Sequence, residues 1–126
     1  MKKKIHSSNK IRFPTFLSFL FPFLLITQIA QVDAISFEKG EKLFANNCIV
    51  CHAGGNNIII PEKNLKKETL EANGMNTKTA IAYQVLNGKN GMPAFGGRLK
   101  ENDIEAVAIY VLEQSNRNQW VQKSIF

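Results

Sequence analysis

The sequence is short of most features that mark a functional class. It holds only 2 cysteines in 126 residues, too few for the disulfide framework of a small secreted domain. No stretch alternates apolar and polar residues with period two, so half-buried strands are not expected. Histidine is nearly absent, with 2 in the whole chain. Basic residues lead acidic ones 16 to 10, yet Lys2, Lys3, Lys4, Lys10 and Arg12 crowd together at the start. Past Ala34, 11 basic residues face 9 acidic ones, a net +2. That part lacks the clustered basic face of a nucleic-acid binder, so no nucleic-acid partner is expected. Charge itself is missing between Arg12 and Asp33.

What fills that uncharged stretch is apolar: Phe13, Phe16, Leu17, Phe19, Leu20, Phe21, Phe23, Leu24, Leu25 and Ile26. Val32 and Ala34 put small residues at the −3 and −1 positions of a cleavage site. A basic start, an apolar middle and a small-residue end form an export signal. Residues 1–34 are therefore expected to be cleaved, leaving residues 35–126 as one domain with no stable membrane anchoring. An uncleaved anchor would want about 20 apolar residues; Pro14, Pro22 and Thr27-Gln28 interrupt this run.

The remainder is read as all-α. Phe37, Gly40 and Phe44 recur at helical spacing, with Ser36 as a candidate cap. Residues 53–64, rich in glycine and asparagine, read as loop. Residues 67–72 can hold a short helix and residues 77–86 a third, each stopped by Asn-Gly. Ile104, Val107, Ala108, Val111 and Leu112 form the clearest stripe, on a last helix opened by Glu101 or Asn102. Four short helices bury too little apolar surface by themselves, and domains of this size commonly need a staple.

The staple is written in Cys48-Ile49-Val50-Cys51-His52, the C-x-x-C-H attachment motif of a c-type haem. Two thiols about one turn apart can each bond one haem vinyl group, and the next histidine can reach the iron. A thioredoxin-like site would need a βαβ setting. A zinc site needs four ligands, and Cys48, Cys51 and His52 supply three. His6 leaves with the signal, so a second histidine ligand within the chain is excluded by counting. Two methionines past Ala34, Met75 and Met92, compete for the sixth position. Met92 is favoured because Gly91 lets backbone approach the ring and Pro93 stiffens the loop; Met75 follows Asn73-Gly74, a turn without such bracing.

Residues 37–120 resemble class I cytochromes c, and within them the cytochrome c6 family of algae and cyanobacteria. The resemblance rests on Gly40-Glu41-Lys42-Leu43-Phe44, on Cys48 through Gly55 with Asn56-Asn57, and on Pro61-Glu62-Lys63. It continues through Asn73-Gly74-Met75-Asn76, Tyr83-Gln84-Val85, Asn87-Gly88-Lys89-Asn90 and Met92-Pro93-Ala94-Phe95-Gly96-Gly97-Arg98-Leu99. Gly91 stands where alanine is common, and residues 121–126 extend past the usual tryptophan end. The resemblance implies a class I cytochrome c fold, about four short helices around one covalent haem c, with His52 and Met92 as axial ligands. It implies a close crossing of the first and last helices, Gly40 and Phe44 meeting Val107 and Tyr110. Gln84 would aim its amide at the haem and tune it. Arg98 would dock a partner or meet a haem propionate. Lys63, Lys66 and Lys67 read as a solvated face, and Trp120 as packing.

The same resemblance implies a function. Saturated His/Met iron takes no substrate, so the chain is expected to be a one-electron carrier and not an enzyme. Cytochrome f of the cytochrome bf complex would be the donor and photosystem I the acceptor, in the thylakoid lumen of an algal plastid or a cyanobacterium. The alternatives are a periplasmic carrier feeding a terminal oxidase and, from a different class, a haem sensor or enzyme with an open sixth position.

Overall fold

The computed structural model describes residue 34 and residues 36–120 of the chain. The rest of the expected export signal, Ile35 and the tail at 121–126 lie outside the described residues. In chain order the α-helices are α1 (residues 36–47), α2 (Ile49–His52), α3 (Lys67–Ala72), α4 (Lys78–Asn87) and α5 (Glu101–Arg117). Two short 3-10 turns, Ala53–Gly55 and Pro61–Lys63, interrupt the loop between α2 and α3. No strand occurs among the described residues; only isolated bridges join Lys89 to Met92 and Gly96 to Leu99. The helices expected from periodicity are all present. The additional one, α2, is the single turn that carries the C-x-x-C-H motif.

Helix ends differ by a residue or two from the sequence reading, for local reasons. Ser36 lies inside α1 and does not cap it. Thr77 stands just outside α4, where its Oγ1 accepts from the Ala80 N–H at 3.1 Å. That bond satisfies one of the donors a helix start leaves orphaned. At the start of α5 the Lys100 N–H donates to the Asp103 carboxylate at 3.3 Å.

The core is built where α1 crosses α5. A Cβ placed on Gly40 would lie 2.1 Å from the Ala106 carbonyl oxygen and 2.8 Å from Tyr110 Cβ. Only a residue without a side chain allows that approach, which offsets the cost of about 1 kcal/mol that glycine carries against alanine inside a helix. The partner across the crossing is thus Ala106 with Tyr110, one residue along from the expected Val107. Val107 instead turns inward, 1% exposed, beside Ala108 at 0%. The rings of Phe37 and Phe44 each lie 5.2 Å from that of Tyr110, and Trp120 adjoins Phe44 at 5.7 Å. Offset and tilted pairs of this kind add to the area they bury. Trp120 also seats on Gly55, where a Cβ would come within 2.6 Å of its ring. The packing role read for Trp120 holds.

Candidate haem-binding site

The chain from Cys48 to His52 is fixed by its own backbone. Cys48 N–H donates to Phe44 O at 2.8 Å, and His52 N–H donates to Cys48 O at 2.9 Å. Cys48 is buried and Cys51 half-buried, and neither is in a disulfide. Burial, with the neighbouring Cys51 charge second, pushes the Cys48 thiol up to about 11, so it is a protonated thiol at neutral pH.

His52 is held by the loop that follows it. Its Nδ1 lies 2.9 Å from Asn56 O. A carbonyl only accepts, so Nδ1 carries the proton and Nε2 keeps its lone pair for a metal. Burial lowers the His52 pKa and the Asn56 bond opposes it; burial is the larger effect and keeps the ring neutral. Asn56 reaches that place because Gly54 and Gly55 adopt φ 60 and 73, left-handed values that favour glycine.

Asparagine side chains organise the rest of this loop. Asn57 Oδ1 accepts from the Ile59 and Ile60 N–H groups at 3.0 Å each, while its Nδ2 donates to Lys63 O at 3.0 Å. Asn64 Nδ2 donates to Pro61 O, and its Oδ1 accepts from Lys66 N–H. Side-chain bonds of this type replace the missing secondary-structure partners of a loop.

The second loop, residues 88–99, folds back onto the end of α4. Phe95 N–H donates to Val85 O and Gly96 N–H to Leu86 O, each at 3.0 Å. Lys89 and Met92 exchange two backbone bonds of 3.0 Å, closing a tight turn over Asn90-Gly91. Gly88, at φ 67, sits under the returning strand of chain; a Cβ there would lie 2.6 Å from Met92 O and from Ala94 N. Phe95 is buried beneath the loop and pins it.

Between the two loops lies a cavity of about 300 Å³, within the range of cofactor sites. Its wall includes Cys48, Cys51, His52 and Met92 together with the apolar Leu70, Ile81, Val85, Phe95, Val107 and Val111. Gln84 lines it too, and its Nε2 donates toward Met92 Sδ at 3.8 Å. Both competing methionines reach the wall, Met75 included. Only Met92 has the amide contact. Two unbridged thiols, a neutral imidazole with a free Nε2, a thioether and an apolar wall form the donor set and surroundings that haem c requires. The residues fit the group.

Two charged residues read from the sequence each gain a specific contact. Arg98 is exposed and is not part of the cavity wall; its guanidinium stands 4.9 Å from the centre of the Phe95 ring. That position leaves the guanidinium open to solvent at the edge of the ligand loop. Lys63 is exposed as expected; it also borders the cavity, and its Nζ donates to Asn73 Oδ1. Lys66 and Lys67 are exposed as expected. The polar wall residues Asn64, Thr69, Asn73 and Lys89 were not assigned to the site from the sequence.

Comparison with known proteins agrees with this architecture. Residues 36–111 match the family model described as cytochrome c oxidase, cbb3-type, subunit III. The chain is 68% identical over 80 residues to cytochrome c6 of Bumilleriopsis filiformis, covering 64% of this chain and 93% of that one. It is 54% identical over 117 residues to cytochrome c6 of Pyropia yezoensis, covering 93% and 98%. Among solved structures, cytochrome c6 of the diatom Phaeodactylum tricornutum superposes with a TM-score of 0.63 at 49% identity, over 64% of this chain and 95% of that one. The fold, the cavity and these similarities lead to one assignment: the chain belongs to the cytochrome c6 family, class I c-type cytochromes, and is an electron carrier with covalently bound haem c.

Proposed function

We propose that this chain carries single electrons from cytochrome f of the cytochrome bf complex to photosystem I. The observation that carries the reading is the placement of Cys48, Cys51, His52 and Met92 on one cavity wall in a chain of this family. Cys48 and Cys51 would form the two thioethers. His52, its Nδ1 held by Asn56, would offer Nε2 to the haem iron, and Met92 would offer its Sδ. The haem iron supplies the Fe(II)/Fe(III) couple. Gln84 holds the Met92 sulfur by its amide and so adjusts how strongly the thioether donates. With His52 and Met92 both offered to the iron, no position would be left there for a substrate, and the protein would catalyse no bond-making reaction.

The rim of the cavity suits brief contact with a partner. Ile59 and Pro93 line it and are exposed, and Val50 and Ile58 are exposed on neighbouring positions of the chain. A small apolar rim favours low-affinity, fast-exchanging encounters. The net +2 past Ala34 falls to about zero once two haem propionates are ionised, so long-range steering is weak. Arg98, exposed beside the ligand loop, pairs in forked geometry with a partner carboxylate. Residues 1–34 act as an export signal cut before Ile35, delivering the domain to the thylakoid lumen. Among the described residues no helix is long and apolar enough to cross a membrane.

Laser-flash kinetics on isolated photosystem I test the assignment. Rapid reduction of the photo-oxidised centre by the reduced protein is expected. Failure to reduce it, with efficient reduction of a terminal oxidase instead, would move the protein to the periplasmic reading. Carbon monoxide binding by the reduced wild type would point to an open site and a sensor or enzyme.

A further inference from the structure

The chain contains three Asn-Gly pairs, Asn73-Gly74, Asn87-Gly88 and Asn90-Gly91. Asparagine is a thermolabile residue, and a following glycine removes the side chain that would hinder attack by the next backbone nitrogen. The fold treats the three pairs differently.

Asn73 is tied on every side. Its Nδ2 donates to Thr69 O at 2.7 Å, its Oδ1 accepts from Lys63 Nζ, and the Gly74 N–H donates to Glu71 O at 3.1 Å. Asn87 is tied as well. Its Nδ2 donates to Tyr83 O at 2.9 Å, and the Gly88 N–H donates to Gln84 O at 2.8 Å. In both pairs the leaving nitrogen and the attacking nitrogen are each engaged.

Asn90 is different. It is exposed at the tip of the Lys89–Met92 turn, its side chain makes no hydrogen bond among the described residues, and neither does the Gly91 N–H. Its backbone is held at φ 52, an uncommon value for a residue with a side chain. It also borders the cavity, two positions before Met92.

We propose that Asn90-Gly91 is a spontaneous modification site whose aspartyl and isoaspartyl products disturb the Met92 turn. The Gly91 nitrogen gives its proton to solvent base and attacks Asn90 Cγ. A Cγ–N bond forms, the Cγ–Nδ2 bond breaks, and Nδ2 leaves as ammonia. Water then opens the cyclic imide at either carbonyl, returning an aspartate or an isoaspartate. The net change is amide plus water to carboxylate plus ammonium, with no oxidant or reductant. Aspartate adds a negative charge at the cavity border; isoaspartate also adds a backbone atom to a turn closed by two 3.0 Å bonds. The site itself is independent of the haem reading. Its effect on Met92 rests on that residue being the ligand.

The test uses the holoprotein, incubated warm at mildly alkaline pH and then mapped by peptide mass and by isoaspartyl methyltransferase labelling. The bonds on both the leaving and the attacking nitrogen must open before attack at Asn73 or Asn87, which slows each by on the order of thirtyfold relative to Asn90. Conversion confined at first to the Asn90 peptide is the expected result, and in denaturant the three rates should converge. Asn90→Gly, which suits the left-handed φ, should remove that conversion and leave the other two peptides unchanged. Equal rates in the folded protein, or faster change at Asn73 or Asn87, would overturn the proposal. The modified fraction, separated by charge, should show a weakened sulfur-to-iron band when oxidised. A band of full strength would overturn the effect on the turn. A wild-type band that survives Met92→Leu would instead indict the ligand assignment and leave the mass map standing.

Discussion

The α1–α5 crossing and the cavity wall share a core but close it in opposite ways. At the crossing, protein meets protein: Gly40 touches Ala106 and Tyr110, and three further aromatic rings gather around Tyr110. At the wall, Leu70, Ile81, Val85 and Phe95 are buried residues that also face a cavity. The first region is closed mainly by protein, with Phe44 reaching from it to the cavity wall. The second is half of a core, and its other half is the haem. The contrast explains how so short a chain forms one domain, and it separates changes that harm folding from changes that harm the redox site.

The largest effect should come from taking the haem away. Replacing Cys48 and Cys51 together with alanine should abolish covalent holoprotein and leave the cavity half loosely packed, seen as lost haem absorbance after acid-acetone extraction and as reduced near-ultraviolet dichroism. Colour that survives extraction in the double variant would break the comparison at its base. Next comes the crossing. Gly40→Ala drives a methyl group into the Ala106 carbonyl and should destabilise by about 2 kcal/mol in denaturant unfolding, with the haem spectrum of the folded fraction unchanged. A spectral change without a stability change would mean that the two regions are not separable.

A smaller, local effect is expected at Arg98. Arg98→Glu should slow photosystem I reduction several-fold more than Lys42→Glu, with the potential unchanged in both. Equal slowing would remove Arg98 from the docking surface. The smallest effect is electrostatic. A hydrogen bond from Lys39 holds the Asp103 carboxyl below its usual range, and the two form an ion pair between α1 and α5. A depressed carboxylate pKa adds stability that is present above the unfolded value and is lost as pH falls through the folded one. The stability difference between wild type and Asp103→Asn should therefore be constant near neutrality and shrink below about pH 4. An undiminished difference at lower pH would show that the pair contributes nothing through its charge.

Much of this was legible in the residues, and the reasons differ by region. Cys48, Cys51 and His52 are adjacent in sequence, so their chemistry needs no fold to be seen. The α5 stripe was legible because Ile104, Val107, Ala108 and Val111 follow helical period, and all four are buried. The crossing was legible only in kind: Gly40 signalled close approach, but the choice of Ala106 over Val107 depends on helix rotation, which sequence spacing does not set. The bond from Lys63 to Asn73 was not legible because α3 lies between the two residues, and only its packing brings them together. Arg98 was legible as exposed and adjacent to the ligand loop. Its seat over Phe95 required knowing that Phe95 is buried beneath that loop.

The ligand pair is the most exposed point of the account, because both Met75 and Met92 line the cavity. The sulfur-to-iron charge-transfer band of the oxidised holoprotein decides between them. It should be present in wild type and in Met75→Leu and absent from Met92→Leu, which should also bind carbon monoxide when reduced. A band lost in Met75→Leu and kept in Met92→Leu would contradict the assignment of the redox site.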